Sequence, residues 1–314
     1  MDTVLDRLVV GNSRIGYAIR RRLGRWPADP APGSLTGTTA LVTGAGSGLG
    51  LATATGLANL GARVHLLGRS AERLRFARAE VLGRVPGADV HIEQCDLAVM
   101  ARVREFADDF ADRVPRLGVL VHNAGAMTAT RTETEEGNEV GFATHVLGPF
   151  LLTTLLRTAL AAAAPARVIF VSSSGMYGQA LRVDDPQFRE GDYRSVTAYA
   201  RTKRMQVSLA REFAQRLQPV GIAVHAMHPG WVDTPGLATS LPRFHTLLAP
   251  LLRTPAEGAD TTVWLAAAAD PQSHSGQFWH DRRIRPTRLL RPTGDTAENR
   301  AQLWRICEQL TWLE

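Results

Sequence analysis

The sequence predicts an α/β protein: one doubly wound domain with a parallel β-sheet and helices on both faces. After about residue 37, short apolar and β-branched segments alternate with longer helical patterns, and this alternation is typical of βαβ units. The first five candidate strands are almost continuously apolar, as are strands that helices cover on both faces. No internal repeat and no apolar run of membrane-spanning length interrupts the pattern.

Each element follows from this periodicity. The strands are predicted at residues 40–43, 63–67, 89–94, 118–121, 167–171, 221–226 and 276–279. The helices are predicted near residues 48–60, 71–82, 99–113, 138–160, 197–217 and 255–268, with a last helix at 296–313. We therefore predict a single domain over residues 37–314.

Composition and charge exclude several classes of protein. The chain is 45% hydrophobic and 21% charged, which is ordinary for a globular protein. Its net charge is +6, but the arginines are scattered and are not interleaved with aromatic residues, so we predict no nucleic-acid partner. Cys95 and Cys307 form neither a disulfide framework nor a zinc site. We predict no bound metal and, without a secretory signal, a reducing, cytoplasmic location.

Residues 1–36 form a predicted amphipathic extension ahead of the domain. Apolar residues recur among arginines over residues 1–35, and prolines end the pattern. A basic amphipathic helix fits peripheral contact with an anionic membrane surface. The alternative, which we favour, is packing against the domain or a partner chain, because the apolar spacing is imperfect and Asp2 and Asp6 weaken attraction to anionic lipid.

A glycine-rich turn follows the first strand and opens the first helix. It reads Thr43-Gly44-Ala45-Gly46-Ser47-Gly48-Leu49-Gly50. Glycines there let the backbone approach a pyrophosphate, while the helix N-terminus offers free N–H groups. Such a turn alone is a weak signal, since any tight turn favours glycine. Its position after an apolar strand predicts a dinucleotide site at Gly44, Ser47, Gly48, Leu49 and Gly50.

The end of the second strand indicates which dinucleotide binds. An acidic residue there would accept a hydrogen bond from the 2′-hydroxyl of NAD, whereas an arginine suits the 2′-phosphate of NADP. Gly68 is followed by Arg69 and Ser70. The alternative is a solvated surface arginine. Because the glycine turn lies at the right distance upstream, we expect Arg69 and Ser70 to bind NADP(H).

Further residues follow the third, fourth and sixth strands, where the carboxyl ends of parallel strands line a ligand crevice. Asp96 can accept from an adenine amino group, and Thr234 can contact a nicotinamide carboxamide. Asn123 also fits a structural role at the strand end. The remaining cofactor contacts are predicted from Asp96, Leu97, Asn123, Ala124, Gly125, Pro229, Gly230 and Thr234.

Tyr199 and Lys203 lie four residues apart on a predicted helix, so they share a face with Cβ atoms about 5–6 Å apart. A nearby cation lowers the pKa of a phenol, which makes the pair a general acid/base. The spacing is common, and an ordinary amphipathic helix is the alternative. Lys203 is, however, the only lysine in the chain, which indicates a position that arginine cannot fill. Ser173, after the fifth strand, can donate a hydrogen bond to a substrate carbonyl.

Together these motifs resemble the short-chain dehydrogenase/reductase family over about residues 37–280. Residues 228–236, 257–261 and 278–283 and the N-terminal extension resemble more narrowly the subgroup called dehydrogenase/reductase SDR family member 12. The resemblance implies a Rossmann-fold domain that interconverts a carbonyl compound and an alcohol with NADP(H). The residues that carry it are Thr43, Gly44, Gly48, Gly50, Asn123, Ala124, Gly125, Ser173, Tyr199, Lys203, Pro229 and Gly230.

The resemblance implies a role for each catalytic residue. Tyr199 acts as the acid/base, Lys203 lowers its pKa and holds the nicotinamide ribose, and Ser173 orients the carbonyl, while hydride passes between the nicotinamide and the substrate carbon. One position departs from the family: His145 stands where an asparagine is usual, three residues before Gly148. In the family the backbone carbonyl at this position fixes a water of the proton relay. His145 can serve through its carbonyl, join the relay through its imidazole, or alter only helix packing.

The sequence gives less direct information about the substrate and the oligomeric state. In the family, the segment equivalent to residues 235–254 covers the substrate, and its apolar content here predicts a lipophilic carbonyl compound or alcohol. The long segment between Ser173 and Tyr199 predicts an extra loop at the pocket mouth with Asp184, Asp185 and Phe188. The resemblance also implies a homo-oligomer formed through the two long helices.

Two other functions fit parts of the pattern. A non-catalytic NADP(H)-binding sensor or scaffold can share the fold, but such a protein would be free to lose Ser173, Tyr199 and Lys203. A sugar-nucleotide epimerase can share the Tyr-x-x-x-Lys spacing. The glycine spacing and the lack of a sizeable C-terminal substrate domain argue against an epimerase.

Overall fold

An eight-stranded β-sheet forms the centre of the molecule, with strand order β3-β2-β1-β4-β5-β6-β7-β8. The structure is a computed structural model and describes residues 9–23, 26–125, 127–289, 293 and 295–312. In chain order, β1 to β8 are Thr39–Thr43, Arg63–Gly68, Val90–Gln94, Val119–His122, Ala166–Val171, Ile222–Met227, Phe278–His280 and Arg283–Arg285.

The first seven strands pair in parallel, which confirms the predicted fold class. Each lies within two residues of its predicted position. The sequence missed β8, which pairs antiparallel with β7 through a two-residue turn at Asp281 and Arg282. Both turn residues have positive φ, 52° and 55°, as a type I′ hairpin turn requires. Such turns usually carry Asn-Gly or Asp-Gly, and Asp-Arg does not match either pair. The sequence pattern therefore did not predict this hairpin.

Helices cover both faces of the sheet, and each face has its own apolar cluster beneath the helices. Alternate residues of a strand point to opposite faces; in β1, Ala40 and Val42 join one cluster and Leu41 the other. The first face carries helices Gly48–Asn59, Ala71–Arg84 and Pro255–Ala267. The second carries helices Met100–Arg113, Gly148–Leu155, Ser195–Leu217 (called the long helix below) and Ala297–Leu310 (the C-terminal helix).

The single helix predicted over residues 138–160 is divided in the structure. Its pieces are Val140–Phe142, a π-helical turn Ala143–Leu147, and helices Gly148–Leu155 and Arg157–Ala162. Pro149 explains the irregular turn, because proline has no N–H to donate to the carbonyl of His145 four residues earlier. π-helical turns are frequent at functional sites.

The segment at residues 235–254, predicted to cover the substrate, contains two short helices. They are Pro235–Ser240 and Pro242–Leu248, each with a proline in its first turn. A proline at the first helical position is favoured because its missing N–H would be unpaired there anyway. The Thr234 hydroxyl caps the first of these helices by accepting from Leu237 N at 3.2 Å.

The described part of the N-terminal extension packs against the domain. A 3₁₀ turn at Val9–Asn12 leads into the helix Arg14–Leu23 (the N-terminal helix). Arg20 is 2% exposed and donates to Asp281 and to the Gly11 carbonyl. The predicted apolar residues 4, 5 and 8 lie outside the described residues, and the domain boundary at residue 37 stays a prediction. Within the described ranges, no helix has both the length and the apolar character needed to cross a membrane.

The C-terminal helix lies against the second helical face. The ring of Trp304 makes edge contacts with Phe150 and Phe213, each with centroids 4.8 Å apart. These rings belong to helix Gly148–Leu155 and to the long helix. The predicted last helix is therefore present, and its predicted final residue, Leu313, lies outside the described residues.

Candidate active site

One large cleft crosses the carboxyl ends of the parallel strands. It has a volume of about 1540 Å³. The loops after β1 to β6 all reach it, because parallel strands end at the same edge of the sheet. All but one of the predicted site residues line it, and the exception is His145. Those lining it are Gly44, Ser47, Gly48, Leu49, Gly50, Arg69, Ser70, Asp96, Leu97, Asn123, Ala124, Gly125, Ser173, Tyr199, Lys203, Pro229, Gly230 and Thr234.

The glycine turn forms the floor of one end of this cleft. Gly44 and Gly48 have φ values of 65° and 54°, which L side chains rarely adopt. A Cβ on Gly44 would lie 2.7 Å from the Ala124 Cα, and one on Gly50 would lie 2.3 Å from the Gly44 oxygen. Only glycine fits these positions. The turn leads into helix Gly48–Asn59, so its backbone N–H groups face the cleft as a pyrophosphate requires.

Asn123 fixes the glycine turn to the end of β4. Its Nδ2 donates to the carbonyl oxygens of Thr43 at 3.0 Å and Gly44 at 3.3 Å. The Thr43 hydroxyl accepts in return from the backbone N–H groups of Asn123 and Ala124, both at 3.0 Å. The Asn123 side chain therefore has the structural role that the sequence left open, and the residue also lines the cleft.

Two exposed arginines stand at the far end of the glycine turn. Arg69 is 70% exposed in its side chain and lies 3.7 Å from Asp96 Oδ2. Arg73, which the sequence analysis missed, also lines the cleft and lies on the first turn of helix Ala71–Arg84. Ser70 caps this helix by accepting from Arg73 N at 3.3 Å, and its hydroxyl hydrogen is left to donate.

The catalytic trio predicted from the sequence lies together on one wall of the cleft. The Lys203 Nζ is 5.4 Å from the centroid of the Tyr199 ring. Tyr199 is partly buried, and burial raises its pKa to about 12, while a hydrogen bond with Ser173 acts in the opposite direction. Burial also lowers the pKa of Lys203 to about 7. The sequence predicted a lowered pKa for Tyr199. In this structure its pKa is raised instead, because burial removes the water that would solvate the phenolate.

The neighbouring serines after β5 have different surroundings. The buried Ser172 hydroxyl donates to the Lys203 carbonyl at 2.8 Å and so joins the strand to the long helix. The Ser173 hydroxyl accepts from Gly175 N at 3.2 Å and lines the cleft. Ser173 therefore keeps one hydrogen, which it can donate to Tyr199 or to a group in the cleft.

His145 lies behind Tyr199 and has no contact with the cleft. Its ring meets the Tyr199 ring edge-on, with centroids 5.5 Å apart. Its Nδ1 is 2.8 Å from the Thr202 hydroxyl, which itself donates to the Tyr199 carbonyl, so Nδ1 carries the hydrogen. Burial, with a smaller contribution from Lys203, holds the pKa of His145 well below its usual value, and the imidazole is therefore neutral.

A residue outside the predicted motifs connects His145 to Lys203. The Gln206 side chain accepts from Lys203 Nζ at 3.0 Å and donates to the His145 carbonyl oxygen at 2.9 Å. The relay carbonyl implied by the family resemblance thus contacts the Gln206 amide. Two features of the sequence point toward this contact: Gln206 follows Lys203 by three residues, and Pro149 has no N–H to donate to the His145 carbonyl. Neither feature identifies the contact without knowledge of the fold.

The opposite end of the cleft carries many apolar side chains, together with the polar His280 and Arg285. Tyr177 and Val196 line it from the long segment between Ser173 and Tyr199. The residues predicted at its mouth, Asp184, Asp185 and Phe188, do not line it. That prediction was wrong for Asp185 and Phe188, which are buried beneath the surface, with the Phe188 ring 4.1 Å from the guanidinium of Arg201. Asp184 is exposed and forms an ion pair with Arg182. The two short helices contribute Leu237 and Phe244, and Leu241 lies between them.

The N-terminal segment also lines the cleft, which the sequence analysis did not predict. Gly11 and Asn12 lie at its edge beside Gly230. The Asn12 carbonyl accepts from Trp231 N at 2.8 Å. A Cβ on Gly230 would lie 2.7 Å from this same oxygen and 2.5 Å from Arg253 Nε. Gly230 is therefore required for the close approach of the N-terminal segment.

Known proteins resemble this chain in sequence and in fold. Residues 38–243 match the family described as short chain dehydrogenase. Dehydrogenase/reductase SDR family member 12 of Bos taurus is 41% identical over 278 residues, which are 87% of this chain and 86% of that protein. Retinol dehydrogenase 14 of Mus musculus is 36% identical over 296 residues, which are 88% of this chain and 86% of that protein.

A solved structure from Beutenbergia cavernae resembles the fold with a TM-score of 0.65 and 29% sequence identity. The match covers 80% of this chain and 97% of that one. That protein is provisionally described as an NAD(P)-dependent gluconate 5-dehydrogenase with bound NADP at low occupancy.

Proposed function

Because the chain belongs to the short-chain dehydrogenase/reductase family of oxidoreductases, we propose a specific function for its cleft. The family assignment confirms the resemblance predicted from the motifs, and with it a nicotinamide cofactor and chemistry between carbonyl and alcohol groups. The proposed function is the NADP(H)-dependent interconversion of a lipophilic ketone or aldehyde and its alcohol. Tyr199 is the proposed general acid/base.

The observation that carries this proposal is the meeting of Ser173, Tyr199 and Lys203 on the cleft wall between the glycine turn and the apolar end. A dinucleotide on the glycine turn would extend its nicotinamide toward these residues. A carbonyl compound would then lie between the nicotinamide and the apolar side chains. This arrangement supports the role of each residue in the proposed chemistry.

The glycine turn fits a dinucleotide, because side chains at Gly44 or Gly50 would collide with backbone atoms and fill the cradle. Residues 44–50 would hold the pyrophosphate through backbone N–H groups. Arg69 and Arg73 would hold a 2′-phosphate, and arginine binds phosphate with strong, charge-assisted hydrogen bonds. The NADP bound by the related Beutenbergia protein supports this choice.

When bound, the nicotinamide supplies or accepts a hydride. Ser173 donates a hydrogen bond to the carbonyl oxygen and fixes its position. With a pKa of about 12, the Tyr199 phenol is protonated at neutral pH and can give its proton to that oxygen during reduction. In oxidation the phenolate must form, and a protonated Lys203 would stabilise it. Leu237, Leu241 and Phe244 exclude water from the reacting groups.

The apolar lining also supports a lipophilic substrate. Trp231 and Phe244 contact each other edge-on, with centroids 5.3 Å apart, on this wall. Retinol dehydrogenase 14, a relative of this chain, takes its name from a lipophilic alcohol. These observations favour a hydrophobic ketone, aldehyde or secondary alcohol over a sugar.

Location and assembly stay predictions. We keep the proposals of a cytoplasmic location and of peripheral membrane contact through residues 1–35. We also keep that of a homo-oligomer formed through the two long helices. The C-terminal helix packs through Trp304 on helix Gly148–Leu155 and on the long helix, so an assembly through that face would include the C-terminal helix in the interface.

The test is a cofactor titration followed by a turnover assay. Purified protein is titrated with NADPH and NADH, and NADPH oxidation is then followed over a panel of apolar and polar aldehydes and ketones. We expect tighter binding of NADPH and turnover of apolar carbonyl compounds. Tight NADPH binding without turnover of any member would favour the alternative, a non-catalytic NADP(H)-binding sensor or scaffold.

A further inference from the structure

The ammonium of Lys203 has two neutral hydrogen-bond acceptors. Its Nζ donates to the Val171 carbonyl at 2.9 Å and to Gln206 Oε1 at 3.0 Å. Lys203 is 3% exposed, so these contacts replace water. Among the described residues, no carboxylate forms an ion pair with it. The titratable groups that face it are Tyr199 on the same helix and His145 on the π-helical turn.

Gln206 is fully buried and held at both ends of its amide. Its Nε2 donates to the His145 carbonyl oxygen at 2.9 Å. A lysine ammonium can only donate and a carbonyl can only accept, so the two partners fix which end of the amide faces which. Pro149, four residues after His145, has no N–H to donate to this carbonyl.

The arrangement of the helices brings Gln206 and the His145 carbonyl together beside Lys203. Gln206 follows Lys203 by three residues on the long helix, so the two side chains share a face. The π-helical turn brings the His145 carbonyl to the same place. The amide therefore bridges the two helical segments that support Tyr199.

We propose that Gln206 is a positioning residue for Lys203: anchored by the His145 carbonyl, its amide oxygen holds the lysine ammonium in place beside Tyr199. A neutral amide suits this role better than a carboxylate. A glutamate would place an oxygen against the His145 carbonyl oxygen and would oppose the positive charge that stabilises the Tyr199 phenolate. The effect of Gln206 on catalysis rests on the proposed oxidoreductase function.

The single lysine provides a direct measurement of this interaction. Protein grown with ¹³C-labelled lysine gives one side-chain Cε signal by NMR, because Lys203 is the only lysine in the chain. Titrating this signal with pH reports the protonation of Lys203 without any substrate. We expect Gln206→Leu to lower the titration midpoint by about one pH unit, since a lost acceptor destabilises the charged form.

Two further variants make the result decisive. Gln206→Glu keeps the shape and should raise the midpoint by at least about one pH unit through a new ion pair; it tests the proposal if the leucine variant fails to fold. Ser208→Ala, a matched control on the same helix whose hydroxyl contacts Asp295, should leave the midpoint unchanged. A midpoint equal in the wild type, the leucine variant and the glutamate variant would overturn the proposal.

The turnover assay on the same samples separates this proposal from the proposed function. If a substrate is found, the rise of alcohol oxidation with pH should move to higher pH in Gln206→Leu, because a less protonated lysine stabilises the phenolate less. Turnover with unmoved NMR midpoints would overturn the role of Gln206 alone. Moved midpoints without turnover of any compound would favour the non-catalytic NADP(H)-binding alternative and leave the lysine contact established.

Discussion

Arg20 Nη1 donates to Asp281 Oδ2 at 2.5 Å, and both side chains are 1% exposed. Asp281 also accepts from Arg253 Nη1 at 2.6 Å. Burial alone would raise the pKa of this carboxyl, but the adjacent His280 ring and the guanidinium groups of Arg253 and Arg20 hold it far below its usual value. The buried ion pair therefore fastens the N-terminal helix to the turn between β7 and β8, next to the cleft.

We expect Arg20→Ala to lower the free energy of unfolding by about 3 kcal/mol, because it leaves Asp281 with one fewer partner in a buried site. Urea unfolding measures the change. The neighbouring Arg21 is exposed, and Arg21→Ala is the matched control, with an expected change below about 0.5 kcal/mol. A change below about 0.5 kcal/mol for Arg20→Ala as well would show that the ion pair between Arg20 and Asp281 contributes little to stability.

Tyr199→Phe should reduce turnover by at least about 10²-fold, because proton transfer to the substrate oxygen is lost. The Kd for NADPH should stay close to the wild-type value, since the ring remains in place. Single-turnover assays and NADPH titration measure the two effects. Tyr193, whose hydroxyl contacts Thr128 outside the cleft, provides the control Tyr193→Phe. Residual activity near the wild-type rate in Tyr199→Phe would exclude Tyr199 as the acid/base.

Arg69→Ala should weaken NADPH binding about 10- to 100-fold, the loss of one charge-assisted contact with phosphate. NADH binding should change little, because NADH has no 2′-phosphate. Arg75→Ala, a change at an exposed arginine on the same helix as Arg73 that does not line the cleft, is the control. An equal loss for both cofactors would mean that Arg69 does not bind the 2′-phosphate.

His145→Asn should keep turnover within about threefold of the wild type. The imidazole is neutral and lies outside the cleft, and the backbone carbonyl that contacts Gln206 is unchanged by the substitution. Steady-state kinetics with the best carbonyl substrate measure the effect. A loss of about 100-fold, the scale of general acid–base catalysis, would instead place the imidazole in the proton relay.

The buried Lys203 should make stability depend on pH. Its pKa is about 7 in the folded protein against an ordinary value of 10.5, so between these values the unfolded chain binds more protons. Stability therefore rises with pH across this window. We expect the free energy of unfolding of the wild type, relative to Lys203→Met, to increase by about 1.4 kcal/mol per pH unit there. Urea unfolding at several pH values tests this, and a constant difference would contradict a lowered lysine pKa.

Local patterns in the sequence determined the parallel sheet and most of the cleft. The glycine turn, the residues after the strands and the spacing of Tyr199 and Lys203 depend on neighbours within a few residues, and secondary structure repeats such spacings regularly. Since parallel strands end at one edge of the sheet, the order of motifs along the chain was enough to predict that they meet. Family membership followed from these same residues.

Contacts between distant segments were decided only by the tertiary structure. The amide of Gln206 between Lys203 and His145, the burial of Arg20 against Asp281, and the position of Phe188 away from the cleft each depend on how separate elements pack. Burial also reversed the expected direction of the Tyr199 pKa, because the cost of removing water from a charged group is set by the surrounding fold. Sequence spacing carries no information about that environment.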